Sequence, residues 1–297
     1  MRGAGRMEFV RLGDLTCELG ESPVWDDRRE LLFFVDILAP AIHAIRLDGS
    51  GLRSWPMPAP VGSVGLTQTG RLIAALKHEL ALFDPDSGSL QPFTRLPPDE
   101  PHSNRLNDGK AGPDGAFWVG TMHDVPERQP IGALYRVAPD GSVTRHVEGL
   151  KVSNGLAFSP DGTLIYHSDT RSSWLDRWDF SAATGTISGR KRIHEFDGAI
   201  GLPDGGAMDA EGCYWSAGIY AGRLNRFSAG GALIASLDLP VPAPTMPCFC
   251  GPDLRLIAVT SHRTGPIAAQ LDRFPQSGAV FIARAAVSGA PVGRMAV

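Results

Sequence analysis

The sequence predicts an all-β chain folded as a six-bladed β-propeller, four antiparallel strands to a blade. Three observations carry that prediction. One phrase, made of an apolar strand, a polar turn and a second apolar strand, occurs six times; no segment sustains the 3.6-residue apolar periodicity of a helix; and the turn-forming residues are spread evenly. Gly 35 and Pro 24 make up about a fifth of the 297 residues, against roughly 12% in average usage. Their even spread reads as frequent turns, whereas a linker would cluster them.

The six copies of the phrase are Ser22–Val35, Val64–Ala74, Gly109–Val119, Gly155–Tyr166, Ala207–Ser216 and Cys248–Val259. Most hold an Asp or Gly between their apolar halves, the turn chemistry that joins two strands. A second strand pair follows a phrase, as in Ile42–Leu47 with Asp48 and Gly49, Gly132–Val137 with Asp140 and Gly141, and Leu224–Phe227 with Gly230 and Gly231. Four strands of 5–6 residues with their turns need roughly 40–50 residues, which matches the interval between copies. An open ring would leave unpaired strand edges, so a strand at Glu8–Leu12 is expected to complete the blade that ends near Gly278–Ala283. A single domain over residues 1–297 is expected, with residues 1–6 disordered.

Charge and apolar patterning exclude several classes. With 28 basic and 32 acidic residues, net −4, no basic stripe is present to follow a phosphate backbone, so nucleic acid is not an expected partner. The apolar runs fall far short of the ~20 residues of a membrane helix, and Met1–Arg6 leads into no signal-peptide core; a soluble cytoplasmic protein is expected. Cys17 and Cys213 stand alone and Cys248 and Cys250 flank Phe249, which is neither a disulfide framework nor a zinc site.

In a propeller the innermost strands of all blades begin at one end of the central channel, so polar residues just ahead of each phrase converge there. Those positions hold Glu21, Asn107 with Asp108, Asn154 and Asp204. Taken singly, Asp108-Gly109, Asn154-Gly155 and Asp204-Gly205 are ordinary turn dipeptides; at equivalent points of successive repeats they read as a site. Carboxylates and amide carbonyls are hard donors suited to Ca²⁺, Mg²⁺ or Mn²⁺, with Zn²⁺ or Fe²⁺ also able to sit there.

The runs Gly20–Trp25, Asn104–Lys110, Gly120–Met122, Ser153–Gly155, Pro203–Gly205 and Pro247–Phe249, in order from about Leu12 to Ala283, make the chain resemble the gluconolactonase, or senescence-marker-protein-30/regucalcin, family, and in particular its bacterial sugar lactonases. The resemblance implies a six-bladed propeller with one divalent cation, ligated by Glu21, Asn154 and Asp204, and substrate faced by Arg105 and Asn107. Where several members carry a sugar-contacting glutamate after Gly-Thr-Met, this chain has His123 and Asp124, taken as substrate-binding positions, and Ser103 stands where many relatives have asparagine. The expected reaction is hydrolysis of an aldonolactone, the cation polarising the carbonyl and Asp204 serving as general base. Rival readings are a calcium-dependent esterase or phosphotriesterase on the same fold, and a non-catalytic metal-binding propeller. No Gly-x-Ser-x-Gly elbow is present to support a serine nucleophile. Ser261–Gln276 is the longest insertion in the last blade, expected to overhang one channel mouth as a lid or a plain surface loop.

Overall fold

The computed structural model describes residues 7–297; the expectation for residues 1–6 lies outside the described residues. Six four-stranded antiparallel sheets form the propeller. Their innermost strands are Gly20–Asp26, Val61–Leu66, Asn104–Ala111, Ser153–Phe158, Leu202–Met208 and Pro244–Cys250. Five sheets are consecutive in sequence. In the sixth, Phe281–Arg284 pairs with Val10–Arg11, so its outermost strand comes from the N-terminal end. That strand is shorter than expected, and the contact is prolonged by the Leu12 and Cys17 N–H groups donating to the carbonyls of Val280 and Gly278, both at 2.8 Å.

Adjacent large apolar residues explain why the repeat phrase lacks the polar alternation of a half-exposed strand. Successive side chains of a strand point to opposite faces of the sheet, and in a propeller both faces are covered by neighbouring blades. Phe33 therefore packs with Val64 and Phe83 in the seam between the first and second blades, while Phe34 packs with Trp25, Cys248 and Ile282 in the seam between the sixth and first. Phe117 and Trp118 divide in the same way between the seams on either side of the third blade, as do Tyr214 and Trp215 around the fifth. The core is thus six radial wedges.

Every innermost strand also breaks register against its neighbour: between Glu21 and Val24, Val61 and Ser63, Leu106 and Gly109, Asn154 and Ala157, Pro203 and Gly206, and Pro244 and Pro247. A bulge of this kind re-aims side chains that a regular strand would send into a seam. The turn reading of Asp108-Gly109, Asn154-Gly155 and Asp204-Gly205 is overturned here, because all three lie inside strands at these bulges. Around the axis the strands approach closely. A methyl group on Gly62 would meet the Leu106 carbonyl oxygen and come within 2.9 Å of both Cα and the carbonyl oxygen of Asn107.

The opposite end of the channel is crossed by the C-terminal segment. Ala290 donates to the Met208 carbonyl at 2.9 Å, Met295 to that of Leu66 at 2.8 Å and Ala296 to that of Gly115 at 2.9 Å, and Arg294 pairs with Asp26 at 2.8 Å. The insertion after Ser261 carries a 3-10 helix, Gly265–Gln270, whose Ile267 is buried against Ile219 and Ala243.

Because the neighbours of Gly62 are main-chain atoms of the next blade, which yield only if the blade shifts, Gly62→Ala is expected to cost about 1–3 kcal/mol. A lowered thermal or denaturant midpoint would show it; a midpoint equal to that of the parent would mean that the inner strands have room to separate.

Candidate active site

At the end of the channel where the innermost strands begin, residues from four blades gather. Glu21 is followed by Ser22 at φ 47° and Asn154 by Gly155 at φ 67°. Left-handed backbone is costly for a residue with a Cβ, and Ser22 is held there by cross-blade bonding, its Oγ accepting from the Val64 N–H at 2.9 Å.

A chain of hydrogen bonds links the predicted residues. Arg105 Nη1 donates to Asn107 Oδ1 at 2.7 Å, Asn107 Nδ2 donates to Asn154 Oδ1 at 3.0 Å and to the Ser153 carbonyl at 2.9 Å, and Asn154 Nδ2 donates to Asp204 Oδ1 at 2.7 Å and to Thr170 Oγ1 at 2.7 Å. Arg105, Asn107, Asn154 and Asp204 are all buried. Glu21 completes the group from the first blade, close enough to Asp204 and Asp108 for their charges to act on it.

Electrostatics here is set by crowding of like charge away from bulk water. Burial, then the negative charges of Asp204 and Asp108, push the Glu21 carboxyl well above the usual carboxylate range. Burial and Asp108 do the same to Asp204. Asp108 is raised by burial and partly relieved by Lys110 and by the Leu156 N–H, which donates to its Oδ2 at 2.9 Å; its Oδ1 is buried without a partner. Lys110, two residues on, is depressed by burial and donates to the Gly206 carbonyl at 2.7 Å.

His123 and Asp124 are brought close but engaged locally. His123 Nδ1 accepts from the Gln129 N–H at 3.0 Å, and its carbonyl accepts from Arg128, which braces the loop over 124–131. Asp124 pairs with Arg105 Nε at 3.3 Å and Arg128 Nη1 at 3.5 Å. Sequence reasoning passed over Lys110, Thr170 and Arg128, and over Arg171 and Tyr220, which follow the strands Leu164–Asp169 and Tyr214–Ile219 and whose charges act on Arg128. Thr170, Arg128, Arg171 and Tyr220 lie in turns and loops with no pattern to mark them.

The donors fit a hard divalent cation. Ionised together, Glu21, Asp108 and Asp204 outnumber Lys110 by two charges, Arg105 being paired with Asp124. Among the described residues no three His, Cys, Asp or Glu side chains form a ligand cluster, and an amide oxygen is a further hard donor that the site offers. Asn154 presents its NH₂ to Asp204, and turning the amide over exchanges that group for the oxygen.

The sequence profile of the SMP-30/Gluconolactonase/LRE-like region matches residues 19–263. Among curated proteins, the chain is 38% identical to 6-deoxy-6-sulfogluconolactonase of Pseudomonas putida over 91% of this chain and 92% of that one. It is 35% identical to regucalcin of Xenopus laevis, covering 90% of both. Among solved structures, a calcium-binding protein, regucalcin, from Agrobacterium tumefaciens superposes with a TM-score of 0.92 at 29% identity, covering 98% of each chain.

Two histidines beneath the mouth give it a pH signature. His167 Nε2 meets Ser153 Oγ at 2.8 Å and its Nδ1 is buried without a partner; His262 is buried beside the Tyr220 ring, its Nδ1 also unpartnered. Burial pushes each down to about 4. Below an ordinary histidine pKa of ~6.5 the unfolded chain therefore takes up protons that the folded chain refuses. Each contribution is fully present above pH 6.5 and is lost as pH falls through 4, by up to about 3 kcal/mol at the limit. Denaturation of the parent and of His167→Gln at several pH values should show the parent's stability relative to the variant falling across that window; a pH-independent difference would show that His167 protonates freely in the fold.

Proposed function

Because the chain belongs to the SMP-30/gluconolactonase/LRE-like family, we propose that it hydrolyses a sugar lactone to the aldonic acid at the channel mouth formed by Glu21, Asn107, Asn154 and Asp204. The observation that carries this reading is the linked, buried run Arg105–Asn107–Asn154–Asp204 beside Glu21. Names among the relatives point the same way, one of them a sulfogluconolactonase. The calcium-binding description of the Agrobacterium regucalcin supports a divalent cation.

Glu21, Asp204 and the turned-over amide of Asn154 would hold that cation. When bound it supplies Lewis-acid polarisation of the lactone carbonyl and charge stabilisation as the carbonyl oxygen becomes negative. Arg105 and Asn107 bind and orient the substrate, the guanidinium offering N–H donors to sugar hydroxyls. Asp124 fixes Arg105 through its ion pair. Asp204 receives the proton of the attacking water and passes it on as the ring oxygen leaves. His123, its Nδ1 already bonded to the 124–131 loop, shapes the rim of the sugar pocket. The polar and cationic mouth favours a polyhydroxylated substrate over an apolar ester.

A panel of pentono- and hexonolactones, assayed by proton release after chelation and again with Ca²⁺, Mg²⁺, Mn²⁺, Zn²⁺ or Fe²⁺ restored, tests the reading. Turnover should vanish on chelation and return with a cation, and Asp204→Asn should lower kcat at least a hundredfold, in the range of general-base loss. Undiminished hydrolysis in the chelated protein or in Asp204→Asn would remove the cation or the base from the mechanism, and no hydrolysis with any pairing would remove the lactonase reading.

A further inference from the structure

Arg105 is the substrate-binding cation of the hydrolysis proposed above, and the residue before it in the chain is held by a carboxylate that the hydrolysis does not use. That carboxylate is Glu100, in the turn between the outermost strand of the second blade, Leu90–Arg95, and the innermost strand of the third, Asn104–Ala111. Glu100 is buried. Its Oε1 accepts from Asn104 Nδ2 at 2.7 Å and its Oε2 accepts from the Tyr135 hydroxyl. Tyr135, on the third strand of that blade, Gly132–Val137, accepts in turn from Arg145 Nε at 2.9 Å. A carboxylate out of water is costly unless it is hydrogen-bonded, and here both oxygens are, one of them to a phenol that a guanidinium polarises.

Asn104 carries this network to the mouth. Its Nδ2 also donates to the Ile131 carbonyl at 2.9 Å, while its own Oδ1 is buried without a partner. A bare buried acceptor is unfavourable, so the amide keeps this orientation because it has two acceptors to serve, and the bond to the carboxylate is the stronger, charge-assisted one. The loop over 124–131 is thereby fastened at both ends to the start of the innermost strand. At its near end the Asp124 N–H donates to the Ser103 carbonyl at 2.8 Å, and at its far end Ile131 is held by Asn104. The Asp124 side chain of that loop pairs with Arg105 Nε at 3.3 Å, and Arg105 Nη1 reaches Asn107 Oδ1 at 2.7 Å. Arg105 is held from the loop on one side and from its own strand on the other.

Resting on the lactonase reading, we propose that Glu100 is a positioning residue for substrate binding: through Asn104 it locks the loop over 124–131 onto the third blade and so holds Asp124 and Arg105 in the geometry that receives the sugar. None of its side-chain hydrogen bonds reaches Glu21, Asn154 or Asp204. Its loss therefore weakens the grip on ground state and transition state alike, which raises KM and leaves kcat in place.

The test uses the cation-loaded protein, well below the unfolding midpoint of every variant, with the lactone that the parent turns over fastest. Glu100→Leu and Asn104→Leu should each raise KM about tenfold, the scale of one hydrogen bond to a charged partner, with kcat within about twofold of the parent. The double variant should be no worse than either single one, because both remove the same tie. Glu100→Gln, which keeps one neutral acceptor, should fall between parent and Glu100→Leu, and it carries the comparison with a rise of about threefold if the leucine variant does not fold. Arg294→Gln, which removes an ion pair to Asp26 at the opposite end of the channel, is the control for lowered stability and should leave KM unchanged. Hydrogen exchange adds a readout independent of turnover: peptides over 124–131 should exchange about tenfold faster in Glu100→Leu, or in Glu100→Gln should the leucine variant not fold, while the strand Phe117–His123 keeps its protection. KM values at the parent level, a fall in kcat at constant KM, multiplied effects in the double variant, an equal rise in Arg294→Gln or unchanged exchange in the loop each overturn the positioning role while leaving lactone hydrolysis standing. If the parent hydrolyses no lactone, the lactonase reading falls and the exchange decides the tie: faster exchange confined to the loop supports it, and unchanged exchange overturns it.

Discussion

The close approach of six innermost strands around one axis is the constraint on which the rest of this molecule depends. Both faces of every blade are covered, so regular strand positions send their side chains into the seams, and those positions are apolar. Where the strand bulges, side chains are re-aimed out of that alternation. Each innermost strand bulges near its start, and the polar residues of the site sit at that step. The same packing that leaves no room for a methyl group on Gly62 thus decides which residues meet at the axis.

Gathering acids there has an electrostatic consequence. Glu21, Asp108 and Asp204 are drawn out of water and toward one another, and each holds its proton more tightly for it. Lys110, deeper along the same strand as Asp108, offsets part of that charge and is tied to the fifth blade through the Gly206 carbonyl. Buried charge of one sign without a full complement is unfavourable, and a site in that condition favours a cation. The neutral amides of Asn107 and Asn154 give the cluster rigidity without adding charge, since they bridge Arg105 to Asp204 across three blades.

The two ends of the channel differ in kind. At one end are the turns that carry Arg128, Arg171 and Tyr220, around the acid cluster. At the other, a cavity of about 280 Å³ lined by Lys110, Met208, Met246, Phe249, Pro291 and Val292 is crossed by the C-terminal segment, which bonds to the second, third and fifth blades and pairs with the first through Arg294. The segment joins blades that are remote in sequence.

The sequence by itself determined the number of blades, the strand pairs and the identity of the converging acids and amides. Those features repeat: alternation, turn dipeptides and the position ahead of each phrase are local patterns that recur at a regular interval. Family motifs sharpened the choice among them, as with Glu21, Asn154 and Asp204. Tertiary structure alone decided that Asn154-Gly155 and Asp204-Gly205 are bulged strand rather than turn, that Asp124 is held by Arg105 and Arg128, and that Arg171 and Tyr220 share the mouth. The first two depend on register and ion pairing between strands and loops of one blade, and the last on turns of neighbouring blades brought side by side by closure of the ring, none of which leaves a periodic trace in the chain.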